Sequence, residues 1–467
     1  MINIIGINNG AVLQRGKDNL CSVTVIADFK GTPVSSLGTL TFLSENKWNL
    51  SGIPVGGPYT ITIKDNAESV TFNEIYVGDL WILAGQSNME GAGRPDEFDI
   101  GYKNNPDANI RCYYLNNEWK AAVPILHQPW LSVDACQREV WKRNQLNSRW
   151  HSDKPPFISH GTPESGVGPG LFFAVEMYKK TKVPQGVIPC ALGGSSLESW
   201  EPQDENGYNL YAAMLRRFKR TGSNVCGVLW SQGETETNSD SALDLYSERM
   251  EKFIISLRKD IADENLPVVI TQTAYTRLAS FCTAEASQRW ERLRELQRGF
   301  ALKNKNMDMV ATIDCPLDDL IHLSSAGQKL VGKRMANSMA YLCNFNNACN
   351  APKLKCAHIT KDAYRPFFAV LELEYSNTKG FAECLNPSGF SIINQKEKMP
   401  MAAWEGIASV RFLKNNIQIY TEYSAEELKE MFVKYGCGNS AFCNITTAEG
   451  FSLPAFGPLK ISELLTD

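Results

Sequence analysis

Between Asp79 and Asn344 five short apolar runs alternate with segments of helical period, and this alternation restricts the fold more than any other feature of the chain. The runs are Leu80–Ala84, Gly186–Leu192, Val225–Trp230, Pro267–Thr273 and Met309–Ile313. Each has strand length and is largely apolar throughout, as a strand covered on both faces must be. The helical segments are Leu171–Lys180, Asn209–Arg220, Ala242–Lys259, Ala284–Ala301 and Ser324–Cys343. Such alternation predicts an α/β core with a parallel five-stranded sheet in the flavodoxin-like style and helices on both faces.

A chain of 467 residues exceeds one ordinary core, and its two ends have a different texture. Up to about Glu74, strand-like runs (Cys21–Phe29, Gly38–Phe42, Tyr59–Ile63) are separated by Gly, Pro and Asn turns without helical period. From Asn347 onward Phe367–Tyr375, Gly389–Ile393 and the pair Ser409–Leu413 and Ile417–Thr421, turning at Asn415-Asn416, read as strands and a hairpin. The predicted organisation is a β-sandwich-like domain over 1–76, the α/β core over 77–346 and a second all-β domain over 347–467. The core carries a long insertion, 94–168, whose Trp119, Trp130, Trp141 and Trp150 suggest an ordered rim over a site.

Bulk properties exclude several classes of partner. A net charge of −4 supplies no basic field for nucleic acid or an anionic membrane. No apolar run approaches the length of a membrane span. The first residues lack a basic start, an h-region and a cleavage site, so the expectation is a cytoplasmic protein, or a secreted or periplasmic one if a signal was removed. The 13 cysteines contain no Cys-x-x-Cys pair, so no metal or cofactor is expected and most should be reduced, with a local Cys437–Cys443 bridge as one option.

The chemistry lies at the strand exits, where open α/β sheets bind ligands. The first exit gives Gln86-Ser87-Asn88 between glycines, and the second Gly193-Gly194-Ser195-Ser196-Leu197-Glu198-Ser199-Trp200. The third gives Ser231-Gln232-Gly233-Glu234, and the fifth leads to Asp318-Asp319-Leu320-Ile321-His322. Ester hydrolysis needs a hydroxyl, an imidazole to take its proton, a carboxylate to hold that imidazole and donors for the oxyanion. Ser87, His322 and Asp319 supply the first three, with Asp319 preferred over Asp318 for its spacing of three. The backbone N–H groups of Ser87 and Gly193 and the side-chain amide of Gln232 are the candidate donors, Gly194 competing with Gly193. Gln86, Asn88, Glu198, Trp200 and Glu234 are candidate substrate contacts. Glu198 and Trp200 divide evenly between a sugar-binding wall and helix-start packing, and Glu234 also suits a bond to the loop that presents Gln232. His127, His151 and His160 read as loop histidines of the insertion.

Gly-Gln-Ser-Asn-Met, Gly-Gly-Ser-Ser-Leu-Glu-Ser-Trp, Trp-Ser-Gln-Gly-Glu and Asp-Leu-Ile-His resemble the four blocks of the SGNH hydrolases, and more narrowly the carbohydrate O-acetylesterases that include sialate O-acetylesterase. Ala11-Val12-Leu13-Gln14-Arg15 and the β-rich flanks extend the resemblance over most of the chain. It implies a metal-independent serine esterase acting on an O-acetylated sugar or glycan. Gln232 stands where the superfamily has Asn, as in the narrower branch, and Ser231 stands where that branch usually has Tyr, which bears on substrate choice. Two other readings compete: a carbohydrate-binding protein with a disabled hydrolase core, and a short-chain lipase or thioesterase. Sialate would call for a cation at its carboxylate, for which Arg94 is the one nearby candidate.

Overall fold

A computed structural model of the chain describes residues 3–66, 68–147, 166–345, 348–394, 406–439 and 441–466. Trp150, His151 and His160 lie outside the described residues. The chain divides into two compact units: Met1–Gln232 with Glu248–Val268 and Ser324–Ala336, and Gly233–Ser247 with Val269–Leu323 and Asn337–Asp467. This division does not follow the boundaries at 76 and 346 read from composition.

The first unit is organised by one strand of 18 residues, Glu68–Gly85. Its early part, 68–74, is mostly exposed, with Phe72 buried, and pairs antiparallel with Gly56–Asp65. From Ile75 to Gly85 every residue is buried. Over that stretch parallel neighbours flank it: Gln185–Pro189 on one side and Gly227–Ser231 on the other. The N-terminal β segment and the core therefore share a strand, which is why no linker separates them near residue 76. Val12–Gln14 joins the same strand in parallel, and Leu20–Ile26, Lys47–Pro54 and Thr39–Ser44 form a separate antiparallel sheet.

The insertion is corrected in part. Ile110–Tyr113 extends the sheet in parallel beside Gln185–Pro189, and Trp119–Ala121 closes that edge antiparallel. Trp119 is buried against Tyr113, with ring centroids 5.3 Å apart, so it packs the sheet and is no part of a rim. The helix Pro169–Thr181, with proline at its first position where no N–H is needed, lies against the central strand through Gly170. A Cβ on Gly170 would come within 2.3 Å of Leu83.

Val268–Gln272, all but its first residue in the second unit, and Met307–Ala311 are neighbouring strands, each buried throughout. The helix Ala284–Lys303 begins at Thr283, whose side chain accepts from the Ala286 N–H. The C-terminal segment builds a four-stranded antiparallel sheet (Lys353–Lys361, Ala369–Ser376, Asn416–Thr421, Ile407–Leu413 in spatial order) and a three-stranded one (Phe390–Ile393, Phe432–Tyr435, Phe456–Lys460). Leu371, Ile417 and Ile419 of the first sheet share one buried cluster with Phe390, Val433 and Phe456 of the second. The predicted hairpin is present with its turn one residue earlier: Leu413 faces Asn416, so Lys414 and Asn415 make the turn, Lys414 at φ +54°. No disulfide forms among the described residues, and Cys437 and Cys443 are unbridged. No described helix is long and apolar enough to cross a membrane.

Candidate active site

The residues proposed from the strand exits fall into two groups, one in each unit. In the first unit the central strand ends at Gly85, at φ +128°, and a Cβ there would meet the Ser231 carbonyl at 2.1 Å. Only glycine lets the two strand ends approach this closely. The Gln86 N–H donates to that same carbonyl at 2.8 Å, and the chain then enters the single helical turn Ser87–Glu90. Ser87 is partly exposed at the start of this turn, while Gln86 and Asn88 on either side are buried. The polypeptide thus holds one hydroxyl at the rim and turns its neighbours inward.

Gly193 sits beside Ser87. A Cβ on Gly193 would lie 3.6 Å from the Ser87 Cβ, in ordinary van der Waals contact, and 3.2 Å from Glu90 Oε2. The loop carrying it is fixed at several points. Leu192 N–H donates to the Gly85 carbonyl at 3.1 Å, and the Ser195 hydroxyl donates to the same carbonyl at 3.3 Å. Gln232 Nε2 donates to the Ser195 carbonyl at 3.3 Å. Ser87, Gly193 and Gln232 are therefore brought together within one unit, as their places at adjacent strand ends predict.

In the second unit Asp319 and His322 occupy a loop closed by a bridge between Leu317 and Leu323 and by the Asp318 N–H donating to the His322 carbonyl at 3.0 Å. The Leu320 carbonyl inside the loop accepts from Thr276 Oγ1 at 3.0 Å and from the Arg277 N–H at 2.7 Å. Asp319 Oδ1 accepts from the Ile321 and His322 amides at 2.7 and 2.6 Å, and Oδ2 lies 2.6 Å from His322 Nδ1. The loop and the imidazole are thus held by one carboxylate. Burial pushes the Asp319 carboxyl up, but the hydrogen bond and charge of His322 and the two amides outweigh it and hold the group below the usual carboxylate range. With Nδ1 engaged, Nε2 is the nitrogen left to exchange a proton with a substrate or nucleophile.

Other candidates fare differently. Trp200 is fully buried, its ring edge-on to Trp230 at 5.2 Å and its Nε1 donating to Ser195 Oγ at 3.1 Å. Packing claims it, and its candidacy as a sugar wall is corrected. Glu198 is exposed on the same short 3-10 turn, Leu197–Trp200. Glu234 is buried at the start of another 3-10 turn in the second unit. Arg94 is exposed.

Glu90 went unnoticed in the sequence, and His127 is placed differently from its reading as a loop histidine. Glu90, at the end of the Ser87 turn, accepts the Gly193 N–H on its Oε2, so the proposed oxyanion donor is engaged by a carboxylate in this state. His127, read as a loop residue, is fully buried and its Nε2 accepts from the Ala191 N–H at 3.3 Å, two residues before Gly193. Burial, reinforced by the Arg217 charge, pushes its imidazole down to about 3, so it stays neutral and acts as an acceptor. Nothing local in sequence marks either contact, since both join segments far apart in the chain.

Residues 77–341 match the family model described as carbohydrate esterase, sialic acid-specific acetylesterase. A probable carbohydrate esterase of Arabidopsis thaliana is 28% identical over 275 residues, covering 57% of this chain and 91% of the relative. Human sialate O-acetylesterase is 22% identical over 215 residues, 41% of this chain and 38% of that protein. A carbohydrate acetylesterase from Xanthomonas citri has a similar fold along nearly the whole length, with a TM-score of 0.71 at 21% identity over 98% of this chain and 99% of that one. With more than half of its length inside the family model, this chain belongs to the sialic acid-specific acetylesterase family of carbohydrate esterases and is a carboxylic ester hydrolase.

Proposed function

We propose that the protein removes O-acetyl groups from a carbohydrate through an acetyl-serine intermediate, with Ser87 as nucleophile, His322 as proton carrier and Asp319 as the group that orients the imidazole. The observation that carries this reading is the 2.6 Å contact from Asp319 Oδ2 to His322 Nδ1, which leaves Nε2 as the working nitrogen. In the first step Nε2 takes the Ser87 proton as Oγ attacks the acetyl carbon. The tetrahedral intermediate then collapses, the sugar oxygen leaves, and the imidazolium protonates it. In the second step Nε2 takes a proton from water, hydroxide attacks the acetyl-serine, and acetate departs as Ser87 regains its proton.

The developing oxyanion needs donors, and the Ser87 and Gly193 amides with Gln232 Nε2 are the groups assigned to it. Glu90 has to give up the Gly193 N–H for that amide to serve. No step calls for a metal ion. The acetylated sugar is proposed to be a sialate or another acetylated glycan, following the relatives' names. A panel of O-acetylated sialic acids, xylo-oligosaccharides and a chain-length series of p-nitrophenyl esters tests the whole reading. Acetate release from sugars, steeply reduced for longer acyl chains and abolished in Ser87→Ala, is expected. Preference for long acyl chains, or identical rates for wild type and Ser87→Ala, would overturn it.

A further inference from the structure

Three metal-ligating side chains converge on the C-terminal four-stranded sheet, among residues that the proposed reaction does not use. Cys356 and His358 lie two apart on the strand Lys353–Lys361, hence on the same face, and Cys356 is directly opposite Glu374 on Ala369–Ser376. The intervening Ala357 points the other way, into the buried cluster. Cys356 Sγ is 3.4 Å from Glu374 Oε2 and 3.7 Å from His358 Nε2, and Nε2 is 3.7 Å from Oε2. The last separation is too long for a hydrogen bond between nitrogen and oxygen.

These three edges, at 3.4, 3.7 and 3.7 Å, come within about 0.4 Å of one face of a zinc tetrahedron. Zn–S, Zn–N and Zn–O bonds of about 2.3, 2.0 and 2.1 Å at tetrahedral angles place the donors roughly 3.3–3.6 Å apart. The mixed sulfur, nitrogen and oxygen set suits zinc among the divalent metals. Lys355 Nζ holds the other carboxylate oxygen, Oε1, at 2.8 Å and so fixes Oε2 toward Cys356 and His358, as outer-sphere partners do for ligating carboxylates. Cys356 is buried while the His358 and Glu374 side chains are 39% and 24% exposed, which leaves solvent access for a fourth ligand.

We propose that Cys356, His358 and Glu374 form a zinc site that staples the strands Lys353–Lys361 and Ala369–Ser376, with water as the fourth ligand. Binding replaces the thiol proton, which is released to solvent, and changes no oxidation state. Neither the sequence spacing of the cysteines nor the esterase reading points to this site, because Glu374 reaches it only through strand pairing.

The full-length protein, stripped with EDTA and desalted, is loaded with Zn²⁺ or Co²⁺ beside Cys356→Ser and His358→Gln. Wild type is expected to retain one equivalent of Zn²⁺ through gel filtration and to show a thiolate-to-cobalt charge-transfer band in the near ultraviolet. His358→Gln, at a half-exposed position that tolerates change, should lose affinity by about tenfold or more. Cys356→Ser should lose the charge-transfer band, and Zn²⁺ should raise Tm in wild type alone. Acetylesterase activity should survive EDTA in all three proteins. Wild type that shows no charge-transfer band, or zinc retention equal in all three proteins, would overturn the site; the wild-type spectrum decides even if a variant fails to fold.

Discussion

At the scale of single residues the account rests on how each polar group is held. Asp319 makes three hydrogen bonds within its own loop, two to amides and one to the imidazole. Asp319→Asn preserves the shape but can hold the ring in the wrong tautomer, so kcat is expected to fall by about 10³–10⁴-fold with folding intact. The pH profile follows from the same group. Its folded-state pKa is depressed, so its contribution is fully present above the ordinary carboxylate range and is lost only as pH falls through the lower folded value. On mild acidification Asp319 therefore stays ionised and its hydrogen bonds stay in place, so circular dichroism should be unchanged there; a spectrum that changes in that range would contradict the depressed carboxyl. Gln232→Ala should cost roughly 10²–10³-fold in kcat, about 3–4 kcal/mol, more than it changes KM. A rise in KM at constant kcat would make Gln232 a substrate contact instead. Glu90 supplies a sharper contrast, since it occupies the Gly193 amide. If that amide serves the oxyanion, Glu90→Gln should keep kcat within about tenfold, roughly 1.4 kcal/mol. A loss as deep as that of Gln232→Ala would show that Glu90 positions the loop.

At the scale of elements, what was legible in the sequence was local. Five apolar runs became strands, because burial on both faces leaves a continuous hydrophobic signature. The strand Ile110–Tyr113 lies within the long insertion, and only its pairing with Gln185–Pro189, remote in sequence, makes it part of the sheet. Trp200 was undecided for the same reason: its partners Trp230 and Phe253 are remote in sequence. Ser87, Gly193 and Gln232 were readable because each follows directly from a strand end, so the topology alone brings them near one another. The close approach of those ends depends on Gly85. Gly85→Ala must place a methyl 2.1 Å from backbone at a positive φ, where the neighbour cannot yield. It should lower unfolding stability by about 3–5 kcal/mol in urea titration, whereas Gly101→Ala, with open space around its Cβ, should not.

At the scale of the whole molecule, composition registers texture, whereas the compact units are set by contact. The C-terminal segment shares a compact unit with residues 269–323. Arg294, wholly buried on the helix Ala284–Lys303, donates to the carbonyls of Thr273 and Ala274 and also to those of Gly436 and Gly438. Burial pushes its guanidinium down to about 10, yet four hydrogen bonds from Nε, Nη1 and Nη2 still reach those carbonyls. Gln272 likewise bonds both the carbonyl and the N–H of Ala455, at 2.8 and 2.7 Å. A chain cut at residue 346 leaves Arg294 and Gln272 without these partners and is expected to be insoluble or unfolded; a soluble, active fragment would show that the C-terminal sheets are dispensable. Arg294→Met in the full chain should destabilise by about 3–5 kcal/mol, since it strands four buried carbonyls.

The central claim is that the hydroxyl of Ser87 carries the acetyl group. It is tested most directly by treating the protein with a fluorophosphonate, measuring intact mass and mapping the adduct by peptide sequencing, with Ser87→Ala alongside. The expected result is one adduct per chain on Ser87, loss of acetate release in proportion to labelling, and no adduct on the variant. Labelling at another residue, or full acetate release by a chain already modified at Ser87, would contradict it.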